Sequence, residues 1–191
     1  KDAAFGMKPV RMIGGAPYTG GTSRYRIAAN YGTSIFQGDM VAQVTGGTVE
    51  VHADGGTVPV VGVFNGCQFT DPTTGEQVFQ NFYPASTNAS DIIAFIVDDP
   101  NVVYEVQADD TFPVADLFGN FDIVYTSSGS TQTGISGAEL DVTTGATNTN
   151  LPIKAIDISQ DPNNDDVASA NTNVLVVIQN SIFGVKGAGL A

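Results

Sequence analysis

The chain has 191 residues, which suits one domain or two small ones and is long enough to bury roughly two thirds of its unfolded surface without a disulfide staple. Seven Lys and Arg stand against twenty Asp and Glu, a formal net charge of −13, and only 14% of residues are charged. So acidic a chain repels nucleic acid and anionic membrane, and its longest apolar run, the six residues Ile92–Val97, is far below the ~20 that span a bilayer as a helix.

No basic-then-apolar leader is visible, so no signal peptide is expected. Gly is abundant at 22 residues, Thr, Ser, Asn and Val are frequent, and Trp is absent. That profile favours strands and tight turns over helices. With few charges, the exposed surface is expected to be Thr, Ser, Asn, Gln and Gly, which suits packing against copies or partners.

Charge is uneven along the chain. Residues 1–30 hold five cations against one acid, net +4, whereas residues 31–191 hold two cations against nineteen acids, net −17. The first segment is broken by Gly14-Gly15-Ala16-Pro17 and Gly20-Gly21-Thr22. It reads as a basic, Gly-rich extended arm ending in a strand at Arg24–Ala29, ahead of an acidic β-rich body over 31–191 with a possible sub-boundary near 84–90. Such an arm reaches an acidic patch on a partner or a neighbouring copy, or folds back on its own body.

Within the body the spacing predicts strands at Met40–Thr45 and Thr48–His52 around Gly46-Gly47, a two-residue hairpin signal. A strand over Val58–Asn65 contains Gly62, which marks a bulge or a close backbone approach. Asp71-Pro72-Thr73-Thr74-Gly75 is a turn, followed by a strand over Gln77–Tyr83 and a connector at Pro84–Ser90. Asp91–Gln107 reads as a β-hairpin around Asp98-Asp99-Pro100-Asn101. Its first strand, Ile92–Val97, is apolar on both faces and is expected to be fully covered. Its second, Val102–Val106, alternates and is expected to be wet on one side. Phe95, mid-strand, is therefore placed in the core. Val114–Phe118 is one helical turn, too short to stand alone. Asn120–Tyr125, Glu139–Thr143, Ile153–Ile158 and Val174–Ile182 are the late strands. They are separated by a Ser/Thr/Gly loop at Thr126–Gly137 and an acidic loop holding Asp161–Asp166. The expectation is an all-β fold, a β-barrel or sandwich of about eleven or twelve short strands with little helix.

Chemistry-bearing motifs are sparse. The single histidine, His52, has no nucleophile elbow to serve, and it is placed as a strand-end residue without catalytic duty. One His and the one Cys cannot close a zinc site. Cys67 sits in an apolar run and reads as a buried, inert thiol. The pairs Asp98/Asp99, Asp109/Asp110 and Asp165/Asp166 read as solvated turns, since neighbours on a strand point to opposite faces. Weak divalent-cation sites or paired-carboxylate catalysis are the alternatives. No cofactor, no metal and no enzymatic activity are expected.

Three segments taken together, Phe36-Gln37-Gly38-Asp39-Met40-Val41, Gly47-Thr48-Val49 and Val60-Val61-Gly62-Val63-Phe64-Asn65-Gly66-Cys67, resemble a pattern of small β-rich virion proteins of tailed bacteriophages. Tyr83-Pro84-Ala85-Ser86-Thr87 and Asp161-Pro162-Asn163-Asn164 extend the likeness toward head decoration, or cement, proteins of the marine and cyanophage type. The resemblance covers residues 24–182 and does not extend to the much shorter lambda-type decoration protein. It implies a structural virion protein on the outer capsid surface, a homo-oligomer such as a trimer, clamping adjacent subunits of the major capsid protein. Lys8, Arg11, Arg24 and Arg26 of the arm are the residues expected to bind that partner. The alternative is a head-fibre or tail-associated β module binding host-surface carbohydrate, which the Thr126–Gly137 loop would serve.

Overall fold

A computed structural model describes residues 2–164, 166 and 168–184. Its fourteen strands are β1 (Lys8–Met12), β2 (Ser23–Arg26), β3 (Ile35–Phe36), β4 (Met40–Val44), β5 (Thr48–Val51), β6 (Val60–Thr70), β7 (Gln77–Gln80), β8 (Phe82–Tyr83), β9 (Ile93–Val97), β10 (Val102–Gln107), β11 (Asn120–Tyr125), β12 (Ala138–Ala146), β13 (Ile153–Ile158) and β14 (Asn173–Ile178). Two single 3-10 turns, Val114–Asp116 and Pro162–Asn164, complete the regular structure among the described residues.

The strands form two six-stranded antiparallel sheets. Sheet A runs β1-β10-β14-β13-β11-β12, and sheet B runs β2-β9-β6-β4-β5 with β7 beside the far half of β6. Apart from β1 and a separate two-stranded ladder of β3 and β8, the chain fills sheet B before Asp98 and sheet A after Asn101. A lone parallel bridge between Ala108 and Leu140 curls sheet A so that β12 touches the extension of β10, short of a closed barrel. The all-β expectation holds, in its sandwich form. The strands not expected from the sequence are β1 and β3, too irregular or too short to show a period, and the strand expected over Gln77–Tyr83 divides into β7, paired with β6, and β8, paired with β3.

The stretch Asp91–Gln107 is not a hairpin. β9 pairs with β2 and β6 in sheet B, and β10 pairs with β1 and β14 in sheet A, so Asp98–Asn101 carries the chain from one sheet to the other. The turn chemistry is as expected, with the Asn101 amide donating to Asp99 Oδ1 at 2.8 Å. The burial expectation is reversed: every residue of β10 is buried, whereas Ile93 and Phe95 on β9 stay half-exposed. The two strands meet face to face instead of edge to edge, and the Tyr104 hydroxyl donates to the Val97 carbonyl across the gap at 3.3 Å.

Two apolar cores result. Met40, Val60, Val63 and Val97 of sheet B pack against Tyr104, Val106, Phe121, Leu140 and Val176 of sheet A. On the other face of sheet B, Val41, Phe64, Cys67, Phe69, Ala94 and Ile96 pack under Ile27, Ile35 and Tyr83. Sheet B is thus the middle layer. Strand β6 serves both cores because two register shifts, at Val61 opposite β4 and at Asn65 opposite β9, keep its large side chains on their assigned faces. Gly62 lies between them, and a Cβ there would come within 2.2 Å of the Val97 carbonyl oxygen, so both readings of this glycine are met. The β4–β5 hairpin also forms, with Val44 opposite Thr48 and a three-residue turn ending in Gly47 at φ +76°.

Candidate interaction surfaces

The residues expected to form an arm are edge strands. Met7 is buried in the core, β1 lines the edge of sheet A, and β2 lines the edge of sheet B. Backbone pairing along four registered positions each on β10 and β9 holds them down, so this part of the chain folds back on its own body. Lys8 Nζ lies 3.6 Å from Glu105 Oε2, with its side chain 64% exposed, an ion pair worth less than about 1 kcal/mol. Arg11 is half-buried and its Nη1 donates to the Met12 carbonyl at 3.4 Å. Arg24 and Arg26 are exposed. The fold therefore separates the four cations into a pair on each sheet's edge.

Arg24 and Arg26 belong to a larger surface. In register they stand opposite Phe95 and Ile93 of β9, which in turn neighbour Gly66 and Gln68 of β6, and Gln68 stands opposite Phe79 of β7. Directly opposed residues of an antiparallel ladder share a face. This is the face that Val63 and Val97 present to sheet A, continued past the point where sheet A covers it. Beyond Val97 its cover thins: Phe79 is 65% exposed, Ile93, Phe95 and Gln68 are half-buried, and the Arg24 guanidinium lies 5.9 Å from the Phe95 ring centroid. An aromatic and aliphatic strip with two arginines along one edge has the composition of the centre of a protein interface.

Of the acidic pairs, Asp99 and Asp110 bond their local backbone as turn residues, whereas Asp98 and the half-buried Asp109 reach distant strands. Asp98 accepts the Tyr25 hydroxyl at 2.7 Å, Asp109 accepts the Val142 amide at 3.0 Å, and Asp110 accepts the Thr111 amide at 2.7 Å. Asp165 lies outside the described residues, as does the tail after Gly184. No group of three or more His, Cys, Asp or Glu gathers at metal-binding distance among the described residues. His52 is fully buried just after β5, with Nε2 2.9 Å from the Val58 carbonyl, and the Tyr125 hydroxyl donates to its backbone oxygen at 3.1 Å. Cys67 is buried beneath β8; its thiol donates to the Phe82 carbonyl at 3.4 Å, and burial pushes its pKa up to about 12. It is an inert thiol at neutral pH.

Four buried acids, Asp39, Glu105, Asp122 and Glu139, were not legible as such in the sequence; Asp122 accepts the Ile123 amide at 2.8 Å, and desolvation raises its pKa. Glu105 accepts the Ser159 hydroxyl at 2.6 Å, and Glu139 accepts the Thr126 hydroxyl, its pKa raised by desolvation. Asp39 is 3% exposed and accepts the Phe36 amide at 2.7 Å and the Ser136 hydroxyl at 2.5 Å. Desolvation pushes Asp39 up to about 6, against the opposing pull of those two bonds. Asp39 ties the turn after β3 to the end of the Thr126–Gly137 loop. That loop walls a recess of about 750 Å³, lined by Ser34, Phe36, Tyr125, Ser128, Ser130 and Gln132. A second recess of about 450 Å³ lies where β1 meets β6, with Gln37, Asn65, Glu105 and Asn173 around Phe5 and Phe64. Gln37 Nε2 donates to Asn65 Oδ1 there at 2.9 Å.

Comparison of the chain with family models, with curated proteins and with solved structures finds no match. Function must therefore be read from the residues, the fold and these surfaces.

Proposed function

We propose that this chain is a structural virion protein of the decoration, or cement, type, seated on the outer surface of a tailed-phage capsid and clamping neighbouring major capsid protein subunits. The observation that carries the reading is the open half-face of sheet B, which calls for a neighbour in an assembly, whether a capsid subunit or a second copy. It displays Phe79, Ile93 and Phe95 with Arg24 and Arg26 along one edge, on a body that is otherwise acidic and sparsely charged. Such a face stabilises an assembly by apolar burial, at about 25 cal/mol per Å² removed from water, and its arginines select an acidic neighbour. Many identical contacts on one shell act together, so modest individual affinities suffice. The resemblance adds support of its own. Its three main segments fall in one part of sheet B, on β4 and its two neighbours β5 and β6.

The test is addition of the purified protein to capsids that lack it. The expected result is saturable occupancy and raised tolerance of heat or internal pressure. Capsids that bind none, or that gain no robustness at full occupancy, would defeat the proposal. A second reading, a head-fibre or tail-associated module for host-surface carbohydrate, rests on the hydroxyl-lined recess under Thr126–Gly137. A glycan array without hits removes it.

A further inference from the structure

The open face of sheet B has a counterpart elsewhere on the same chain. Between β10 and β11, the segment Asp109–Gly119 projects Val114, 64% exposed, and Phe118, 51% exposed, with the half-buried Asp116 between them in sequence and the exposed Asp110 four residues before Val114. Phe118 holds φ at +70°, a region that a bulky side chain rarely enters. The loop is nonetheless fixed: the Phe118 amide donates to the Ala155 carbonyl at 2.9 Å, the Ala155 amide to the Gly119 carbonyl at 3.1 Å, and the Gly119 amide to the Asp116 carbonyl at 3.2 Å. Folding alone gains little from a strained backbone that holds a phenyl ring in water. Such strain persists where it positions a group for use.

The geometry points to a head-to-tail contact between copies of this chain, in which the acidic-apolar Val114–Phe118 knob of one copy seats on the arginine-flanked Phe79/Ile93/Phe95 face of the next. The charges complement each other, with Arg24 and Arg26 against Asp110 and Asp116, and each side supplies exposed aromatic carbon. The two surfaces sit on different sheets, so the contact is heterologous and builds rings or open arrays instead of closing as an isologous dimer. The rigid loop loses little freedom on docking. This assigns Arg24 and Arg26 to the neighbouring copy and leaves Lys8 and Arg11, on the other edge, for the capsid. That last allocation rests on the virion reading, but the self-contact does not.

Sedimentation velocity of the purified full chain, with no capsid present, separates the two. The wild-type chain is expected to associate with rising concentration, and less so in high salt. Arg24→Glu and Asp116→Arg should each weaken association by at least about tenfold, and an equimolar mixture of the two should associate better than either alone, because one contact type then pairs Glu with Arg. Phe118→Gly suits the positive φ, so it should keep or raise thermal stability while weakening association by about tenfold or more. A wild-type chain monomeric at all concentrations overturns the inference. So do variants that associate like wild type, or a mixture no better than its parts. Loss with Arg24→Glu but not with Asp116→Arg or Phe118→Gly would show the face pairing with itself, which also overturns it. Failure on any of these counts leaves the capsid-binding test unaffected.

Discussion

Strands β9 and β10 leave the same four-residue turn and look alike in sequence, yet they end in opposite situations. β10 lies between β1 and β14, buried over its whole length, and carries Glu105 into the interior with Ser159 as partner. β9 lies between β2 and β6 and is fully covered on one face only; on the other, cover thins past Val97 and leaves Phe95 and Ile93 half-buried. Apolar content therefore does not tell which strand is the core. What decides is how far the facing sheet extends. The more polar-looking strand is the interior one because its polar side chains have partners. The uniformly apolar strand keeps two large side chains only half-buried.

Substitutions can break or sharpen that contrast. The largest effect is expected from Val106→Asp on β10, which buries an unpaired charge and should cost more than about 4 kcal/mol, a large part of a domain's stability. Loss of the cooperative urea transition is the readout. Next is Gly62→Ala at the crossing of β6 and β9. Its methyl group meets the Val97 carbonyl and should cost about 2–3 kcal/mol by denaturant titration, because backbone, not a flexible side chain, must yield.

Asp39 supplies a pH signature in the layer beneath. Its folded pKa, about 6, lies above that of an unfolded aspartate, so the folded state holds the proton more tightly. Its contribution is fully present below about pH 4 and is lost as pH rises through about 6. Asp39→Asn keeps the shape without the charge. It should flatten the stability profile across that window, while its amide nitrogen, which cannot accept, gives up one of the two bonds from Phe36 and Ser136. Parallel pH profiles for the two proteins would refute the assignment. The smallest effect on folding is expected from Phe95→Asp, about 1–2 kcal/mol and well short of Val106→Asp, because the ring keeps part of its surface in water and has the Arg24 guanidinium beside it. A cost comparable to Val106→Asp would place β9 in the core after all.

Much of the fold was legible because local chemistry fixed it. The Asp71–Gly75 turn, the β4–β5 hairpin, the special role of Gly62 and the limits of β11 and β13 follow from turn residues and period alone. Pairing across Asp98–Asn101 was not legible, since a tight turn between two apolar strands serves equally for a hairpin and for a crossing between sheets. Neither was the fate of residues 8–26. Glycine pairs and scattered charge describe a free arm and two edge strands equally well, and the difference lies in Met7 reaching the core and Lys8 reaching Glu105. The four cations were visible, but their company was not: Phe79, Ile93 and Phe95 join Arg24 and Arg26 only through registers between strands far apart in the chain. Phe118 carried no signal beyond its place before Gly119, because positive φ at a phenylalanine is set by the surrounding structure.

The most direct test of the whole account is an electron cryomicroscopy map of capsids bearing the protein. The account predicts density for this fold on the outer surface, β1 toward the capsid, and the Phe79/Ile93/Phe95 face of each copy covered by the Val114–Phe118 loop of the next. Density absent from the shell, or copies in place with that face turned to solvent, would contradict it.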